Sequence, residues 1–239
     1  MAWPEGGLPA AVIFDMDGTL LDTEPVSMRA WEQAERETGH FMPPGFFVSI
    51  IGQNEATFRE KLSVVMPPDC DIDAFVRRAN GIYKGLLKNG EVPLKPGLGN
   101  LLEWLRARSI PLAVATSTQR ALAEIKLRHA QIRHHFVEMV CGDEVTAGKP
   151  HPMPFALAAE RLGVAPAHAL AVEDSANGIR SATAAGIPTA HIPDIAPVAP
   201  EVRALCWRIL PDLEALRAIL AERVETPDKA RSKRLSAAP

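Results

Sequence analysis

The sequence predicts an α/β protein in which a parallel β-sheet core is interrupted by an all-helical insertion. From residue 93 onward, short apolar segments of strand length alternate with helical segments, and such alternation is typical of βαβ units and a parallel sheet. One further apolar run, AVIF at residues 11–14, precedes this region and fits a strand that is buried on both faces. Residues 25–90 lie between the two and lack strand patterns, so the first strand is separated from its partners by the insertion.

The insertion is predicted to contain three helices. Thr23 is the expected N-cap of the first helix, which has a proline in its first turn and ends at Gly39. Apolar residues recur at helical spacing over residues 54–65 and 75–86, which predicts two more helices, the first of them capped by Asn54. Proline or glycine follows each of the three segments and favours a chain turn there.

The second half supplies the remaining strands and their flanking helices. Helices are predicted from Pro96 to residue 105 and at residues 119–129, 154–162, 176–184 and 213–220, and strands at residues 110–115, 137–141, 169–172 and 187–192. Residues 225–239 are charged and rich in small side chains, so a flexible tail is expected there. We therefore expect a sheet core formed by residues 1–24 and 91–224 and a helical cap formed by residues 25–90.

Composition excludes several classes of function. The 239 residues carry 26 Lys and Arg against 29 Asp and Glu, a net charge of −3, so no excess of positive charge is available for nucleic acid or an anionic membrane. Three widely spaced cysteines without a Cys-x-x-Cys pair favour free thiols in a reducing compartment. The start of the chain resembles no signal peptide, and no segment has the length of a membrane span. A cytoplasmic protein, monomeric or weakly dimeric, is therefore expected.

Two carboxylates and a glycine follow the first strand directly: Asp15, Asp17 and Gly18. The carboxyl end of a strand in an open parallel sheet is where ligands bind, and Gly18 permits a sharp turn that leaves backbone N–H groups after Asp15 free for an anion. Asp15 can act as a nucleophile toward a phosphoryl group, and Asp17 as general acid and base for the leaving oxygen and for water. Ca²⁺ loops and ordinary turns use the same residue types, so both alternatives stay open on this stretch alone.

Polar side chains also follow three later strands, and they are the types that phosphate chemistry uses. They are Thr116, Ser117 and Thr118 after the second predicted strand, Lys149 after the third, and Glu173, Asp174 and Ser175 after the fourth. A hydroxyl can donate to a phosphoryl oxygen, a lysine can offset its charge, and grouped acids can hold a hard divalent cation. Each could instead be a helix cap or a solvated charge, but their gathering at one sheet edge favours a phosphate site with Mg²⁺.

Four segments resemble, in chain order, the four motifs of the haloacid dehalogenase superfamily. They are FDMDGTL at residues 14–20, ATS at 115–117, GKP at 148–150 and VEDS at 172–175. The resemblance extends from residue 11 to about residue 220 and implies a Rossmann-like core, a mobile cap, bound Mg²⁺ and an aspartyl-phosphate intermediate. The insertion after the first motif looks like the cap of the phosphoglycolate phosphatase and β-phosphoglucomutase branch.

The resemblance also implies roles for individual residues. Asp15 would be the nucleophile and Asp17 the acid and base, while Thr116 and Lys149 would hold the phosphoryl group. The implied metal site consists of Asp15, Asp17, Glu173 and Asp174. The residues expected to bind phosphate or substrate are Met16, Gly18, Thr116, Ser117 and Lys149 in the core and Glu24, Asn54, Arg59 and Lys84 at the start of the insertion or within it. Any one of the last four could instead be plain helix surface.

We expect a phosphatase that acts on a small phosphate monoester, such as a sugar phosphate. A sugar-phosphate mutase is the alternative, because it uses the same core. Similar β-phosphoglucomutases carry a histidine and a cap arginine where this chain has Ser27 and Glu55, although Arg59 lies one helical turn beyond Glu55. A dehalogenase would not need the second acid, Asp17, and a binding module on a degenerate core would not be expected to keep every catalytic position.

Overall fold

The structure, a computed structural model, describes residues 7–50, 55–90 and 92–225. These residues contain the strands β1 (Ala11–Phe14), β2 (Leu112–Ala115), β3 (Glu138–Val140), β4 (Ala169–Glu173), β5 (Thr189–His191) and β6 (Arg208–Ile209). All neighbouring strands are parallel, in the spatial order β3-β2-β1-β4-β5-β6. The prediction of an α/β protein with a parallel sheet is confirmed, and β1 lies inside the sheet between β2 and β4.

Helices cover both faces of the sheet and fill the interval between β1 and β2. They are α1 (Glu24–Thr38), α2 (Phe46–Ile50), α3 (Glu55–Val65), α4 (Ile72–Lys88), α5 (Leu98–Arg106), α6 (Arg120–His129), α7 (Met153–Arg161), α8 (Ala176–Ala184), α9 (Pro200–Arg203) and α10 (Leu213–Glu225). The elements α2, α9 and β6 are absent from the sequence prediction. α2 and α9 have five and four residues, too few to show a helical period, and both residues of β6 are exposed.

The strand β1 is apolar throughout because both faces of the sheet are covered. Val12 and Phe14 lie in a hydrophobic core with α5, α6 and α10, whereas Ile13 lies in a second core with α7 and α8. Successive side chains of a strand point to opposite faces, so a doubly covered strand must be apolar at every position. Among the described helices, none combines the length and hydropathy needed to cross a bilayer.

The helices between β1 and α5 have a hydrophobic core of their own. Trp31 of α1 packs against Phe58 of α3 and Phe75 of α4, with ring centres 5.2 and 5.5 Å apart. Trp31 and Phe75 are both buried. A separate core of this kind supports the predicted cap at residues 25–90, whose boundaries stay a prediction.

The chain passes twice between the sheet and these helices, and the two passages lie side by side. Asp22 N–H donates to Pro93 O at 2.9 Å, and Lys95 N–H donates to Leu20 O at 3.0 Å. The passages are therefore tied to each other by backbone hydrogen bonds, close to the residues that follow β1.

The predicted start of α1 needs a correction. Thr23 precedes the helix, but its side chain does not cap it; the hydroxyl donates to Asp17 Oδ1 at 2.8 Å instead. Gly39 ends α1 with a left-handed φ of 73°, a conformation that glycine adopts without strain, and this part of the prediction is confirmed. Asn54, the predicted cap of α3, lies outside the described residues.

Candidate active site

The ends of three adjacent strands bring acidic and hydroxyl side chains to one edge of the sheet. Asp15 follows β1, Thr116 follows β2, and Glu173 ends β4 with Asp174 directly after it. Because β2 and β4 are the two neighbours of β1, their carboxyl ends converge. All four residues are buried, Asp15 with 7% of its surface exposed and Glu173 with none. Buried polar groups of this number require partners.

Lys149 supplies positive charge at this edge. Its side chain is 5% exposed, and Nζ donates to Asp15 Oδ1 and, at 2.7 Å, to Glu173 Oε1. Burial lowers the pKa of the lysine, but the two carboxylates outweigh that effect and hold the pKa above its usual range. The ammonium group therefore stays charged and joins two carboxylates that would otherwise repel each other.

Glu173 is fixed by the first turn of α8. Its Oε2 accepts hydrogen bonds from Ser175 N at 2.7 Å and from Ser175 Oγ at 3.0 Å. Any side chain at position 178 would overlap the Glu173 carboxylate, so Gly178 is required for this arrangement. Gly178 was not predicted as a site residue. Its signal in the sequence is a glycine in the first turn of a helix, where glycine normally costs stability.

Asp15 and Asp174 lie in a crowded acidic environment. Burial, opposed by Lys149 and reinforced by Glu173, raises the pKa of Asp15 to about 7. Burial together with Glu173 and Asp15 also raises the pKa of Asp174, although Thr19 Oγ1 donates to its Oδ1 at 2.7 Å. A cation bound between these carboxylates would relieve their mutual repulsion.

The oxygens around Gly18 fit a hydrated divalent cation. Gly18 has a φ of +87°, and a Cβ there would lie 2.5 Å from Asp174 Oδ2 and 2.9 Å from Asp194 Oδ2, so only glycine leaves this space open. Asp194 Oδ2 is buried without a hydrogen-bond partner. Across residues 7–50, 55–90 and 92–225, no three Asp, Glu, His or Cys side chains form a closed metal cluster. Mg²⁺ suits such surroundings because it takes few carboxylates and keeps several waters.

Asp17 points into a separate set of hydrogen-bond donors. Its Oδ1 accepts from Thr23 Oγ1 at 2.8 Å and from Lys126 Nζ at 2.6 Å, and its Oδ2 accepts from Thr118 Oγ1 at 2.8 Å. Burial raises the pKa of Asp17, but Lys126 and the two hydroxyls outweigh this effect, and the net pKa is lowered. The side chain is therefore an anion held by three donors.

Lys126 is a second residue of the site that was not predicted from the sequence. It lies on the buried face of α6 beside Ala123 and Leu127, and 3% of it is exposed. Its Nζ also lies 5.2 Å from the ring centre of Tyr83 on α4. A lysine on an otherwise apolar helix face is the signal that could identify it, because a buried lysine needs a carboxylate partner.

The structure limits how the residues predicted to bind phosphate can do so. The side chain of Met16 is fully buried in the apolar core, so only its main chain can face a ligand. Gly18 N–H donates to Leu21 O at 2.9 Å, so it is not among the N–H groups after Asp15 that are free for an anion, which corrects that expectation in part. Thr116 Oγ1 accepts a backbone hydrogen bond at 3.1 Å, an arrangement that leaves its proton available to a ligand. Ser117 is exposed.

Glu24, directly before the helical segment at residues 25–90, lies in the electrostatic field of the acidic site. It begins α1 and is partly exposed. Burial, together with the charges of Asp17 and Asp194, raises its pKa to about 7. Glu24 therefore faces the same region as the carboxylates that follow β1.

The other predicted residues of the insertion have different surroundings. Arg59 forms an ion pair with Asp73 of α4, a contact within the insertion. Lys84 is exposed on α4 and lines a cleft together with Gln119. Asn54 lies outside the described residues. Their roles toward a substrate stay predictions.

Known proteins resemble this chain in both sequence and fold. Residues 9–186 match the family described as haloacid dehalogenase-like hydrolase. The fructose-1-phosphate phosphatase YqaB of Escherichia coli is 35% identical over 181 residues, with 74% of this chain and 93% of that protein covered. A phosphoglycolate phosphatase of Escherichia coli O157:H7 is 32% identical over 199 residues, with 74% of this chain and 79% of that protein covered.

Solved structures show a similar fold. A Thermotoga maritima protein assigned as a β-phosphoglucomutase superposes with a TM-score of 0.75 at 29% identity, covering 89% of this chain and 98% of that one. The parallel sheet, the four motifs in order and these similarities lead to the same conclusion: the chain belongs to the haloacid dehalogenase-like hydrolase family.

Proposed function

We propose that this protein is a Mg²⁺-dependent phosphatase that hydrolyses a small phosphate monoester, such as a sugar phosphate, through an aspartyl-phosphate intermediate. The observation that carries this proposal is the buried contact of Lys149 with Asp15 at the carboxyl end of β1. A carboxylate can attack a phosphate anion only where positive charge offsets their repulsion. The activities named for the two similar phosphatases of Escherichia coli support the same chemistry.

Asp15 is the proposed nucleophile. Its carboxylate oxygen attacks phosphorus, and a new O–P bond forms as the bond between phosphorus and the leaving oxygen breaks. Lys149 and the hydroxyl of Thr116 bind the phosphoryl oxygens and offset their charge. Asp17 gives its proton to the leaving oxygen, so the alcohol departs neutral.

Asp17 also serves the second step. As a carboxylate it takes a proton from the water that attacks phosphorus, and the bond to Asp15 then breaks and releases phosphate. The contacts with Thr23, Thr118 and Lys126 stabilise the Asp17 anion, which is the form that this second step requires. The first step requires Asp17 to take up a proton when the substrate is bound.

Mg²⁺ is the proposed cofactor. Asp15 and Asp174 would supply carboxylate oxygens and Asp17 its main-chain carbonyl. Glu173 would lie behind these ligands without coordinating the cation directly, because both of its carboxylate oxygens already accept hydrogen bonds. When bound there, Mg²⁺ would supply positive charge to the phosphoryl group that Asp15 attacks.

The helical segment at residues 25–90 is proposed to be a cap that closes over the substrate. Its separate hydrophobic core and its two adjacent passages into the sheet support this role. Closure would exclude bulk water from Asp15. It would also bring Asn54 and Arg59 of the segment, and Glu24 directly before it, toward the substrate. A carboxylate such as Glu24 can accept hydrogen bonds from the hydroxyl groups of a sugar.

A sugar-phosphate mutase is the second candidate function. The similarity to the Thermotoga maritima structure assigned as a β-phosphoglucomutase favours it. Ser27 and Glu55 favour the phosphatase, because similar mutases carry a histidine and an arginine there. The two functions differ in the group that receives the phosphoryl group from Asp15, which is water in one and a sugar in the other.

Phosphate release in the presence of Mg²⁺, measured across hexose phosphates, pentose phosphates, phosphoglycolate and nucleotides, tests the proposal. We expect free phosphate from one chemical group of these substrates. β-Glucose 1-phosphate is assayed in parallel for conversion to the 6-phosphate. Isomer formation with little free phosphate would identify a mutase, and turnover of no substrate would overturn the proposal.

We further propose a cytoplasmic enzyme, monomeric or weakly dimeric, whose partner is a small phosphorylated metabolite. Its three cysteines are free thiols, which suits a reducing compartment. Its net charge of −3 gives no attraction to nucleic acid or to an anionic membrane. Light scattering on the purified chain measures the assembly directly, and a stable higher oligomer would contradict this part of the proposal.

A further inference from the structure

Asp194 is a buried carboxylate that the mechanism above does not use. It follows β5 by three residues, and its side chain is 7% exposed. Its Oδ1 accepts a hydrogen bond from Lys95 Nζ at 2.7 Å, whereas its Oδ2 is buried and has no partner. One oxygen of this carboxylate is therefore satisfied and the other is not.

The unsatisfied oxygen faces the proposed cation site. A Cβ placed on Gly18 would lie 2.9 Å from Asp194 Oδ2 and 2.5 Å from Asp174 Oδ2. The two oxygens therefore flank the same small volume, which the absence of a side chain at Gly18 leaves open. Asp174 is one of the two proposed carboxylate ligands.

Lys95 holds Asp194 in this orientation. The lysine side chain is 13% exposed, and its backbone N–H is itself bonded to Leu20 O. Burial lowers the pKa of Lys95, but Asp194 and Asp22 outweigh this effect and the net pKa is raised. Lys95 thus remains charged and binds Oδ1, which leaves Oδ2 directed toward Gly18.

A buried carboxylate oxygen without a donor costs folding free energy. A water molecule bound to a divalent cation is a strong donor, and Mg²⁺ keeps several such waters in proteins. Second-layer carboxylates of this kind commonly orient the ligands of a metal. The missing partner of Asp194 Oδ2 and the space at Gly18 therefore have one common explanation.

We propose that Asp194 is a further member of the Mg²⁺ site, where its Oδ2 accepts a hydrogen bond from a water molecule bound to the cation. This inference rests on the proposed function, because it adds a residue to the cation site described there. Contact through water agrees with the finding that the described residues contain no closed cluster of three metal-binding side chains. Asp194 is a positioning residue and does not touch the substrate.

The test compares Asp194→Asn with Asp22→Asn in the full-length chain after metal removal. Asp22 is a matched control, because its Oδ1 also lies 3.5 Å from Lys95 Nζ and its substitution removes the same charge. Mg²⁺ binding is measured by titration calorimetry. We expect Asp194→Asn to bind Mg²⁺ about 10- to 100-fold more weakly than the parent and Asp22→Asn to bind within about twofold of it.

Equal Mg²⁺ affinity of Asp194→Asn and the parent, or an equal loss in both variants, would overturn the inference. If Asp194→Asn is unstable, Lys95→Met combined with Asp194→Asn removes both charges of the buried pair. Only Asp22, whose side chain is 37% exposed, then loses its lysine partner, and the same weaker Mg²⁺ binding is expected. If the parent binds Mg²⁺ and releases phosphate and Asp194→Asn binds Mg²⁺ equally well, the role of Asp194 is refuted and the proposed function is not. Parent protein that neither binds Mg²⁺ nor releases phosphate would refute the proposed function itself.

Discussion

Lys149 contacts two buried carboxylates at once, and the charge balance of the sheet edge depends on it. Glu173 has no exposed surface, so water cannot replace the lysine as its partner. Asp15 has little exposure, and burial together with the charges of Glu173 and Asp17 raises its pKa. The same ammonium group therefore stabilises the folded protein and, in the proposed mechanism, binds the transferred phosphoryl group.

Substitution Lys149→Met should destabilise the protein as well as abolish phosphate release. Removal of one partner from a buried ion pair costs about 3–5 kcal/mol, because the remaining charge is left buried. Urea denaturation at neutral pH measures this loss. Lys88→Met, at an exposed position of α4, is the control and should change the free energy of unfolding by less than about 0.5 kcal/mol. Equal stability of the two variants would contradict the account of Lys149.

The raised pKa of Asp15 predicts a pH-dependent stability difference between the parent and Asp15→Asn. The pKa rises from 3.8 to about 7 in the folded, metal-free protein, so between those pH values the folded state binds more protons than the unfolded state. Rising pH therefore destabilises the parent through this group, whereas asparagine does not titrate. In EDTA, the free energy of unfolding of Asp15→Asn relative to that of the parent should rise from about pH 4 to pH 7. A difference independent of pH would contradict the raised pKa of Asp15 in the folded protein.

The sequence predicts the surroundings of some site residues and not those of others. Asp15 was placed at a strand end because the apolar run before it is unambiguous. The sequence predicts that Thr23 caps α1, whereas its hydroxyl donates to Asp17. A threonine directly before a helix suits either role. Lys126 and Asp194 carry no local motif, and their partners lie 109 and 99 residues away in the chain.

At the scale of elements, the first turn of α8 determines where the Glu173 carboxylate lies. The helix start donates through Ser175, and the missing side chain at Gly178 makes room for the carboxylate. The carboxylate of Glu173, the last residue of β4, is thus hydrogen-bonded to Ser175 directly before α8. This junction in turn holds Lys149 toward Asp15.

Gly178→Ala should disrupt this junction. The new Cβ would overlap Glu173, and overpacking of a buried site costs about 1–3 kcal/mol; displacement of Glu173 and Lys149 should also reduce phosphate release strongly. Gly85→Ala on α4 is the matched control, because a Cβ there meets no atom within 4 Å. It should raise the free energy of unfolding by about 0.4–1 kcal/mol. Denaturation of both variants checks the contrast, and a tolerated Gly178→Ala would contradict it.

The apolar pattern predicted the strands β1 to β5 and the longer helices, but it missed α2, α9 and β6. β1, β2 and β4 are buried at every position. β1 and β2 are apolar throughout, and β4 is apolar up to its last residue, Glu173. β6 has two exposed residues, and its place at the sheet edge is set by backbone pairing with β5. Hydrogen bonding between backbones leaves no trace in the side-chain pattern.

At the scale of the molecule, the parallel sheet collects residues that are far apart in the chain. Asp15, Lys149 and Glu173 come from three different loops and strands, and Asp194 comes from a fourth. The common edge of these groups could be predicted, since parallel strands place their carboxyl ends together. The contact of Lys95 with Asp194 could not, because it depends on how the second passage from the helical segment crosses the sheet edge.

Mg²⁺ should stabilise the whole fold by binding the folded state only. At about 100 times its dissociation constant, a ligand of this kind contributes about 2.7 kcal/mol, and relief of repulsion among the carboxylates is its source here. Thermal unfolding with and without EDTA measures the effect. Asp174→Asn should lose the stabilisation by Mg²⁺ and most of the phosphatase activity. An unfolding temperature that Mg²⁺ leaves unchanged in the parent would contradict a cation site at this edge.

Covalent catalysis by Asp15 is tested most directly by phosphate release from the best substrate of the panel, measured in Mg²⁺ for the parent and for Asp15→Asn. We expect Asp15→Asn to remain folded and its rate to fall by about 10³-fold or more, because an amide is a much weaker nucleophile toward phosphorus than a carboxylate. A folded Asp15→Asn variant that releases phosphate within about tenfold of the parental rate would contradict covalent catalysis by Asp15.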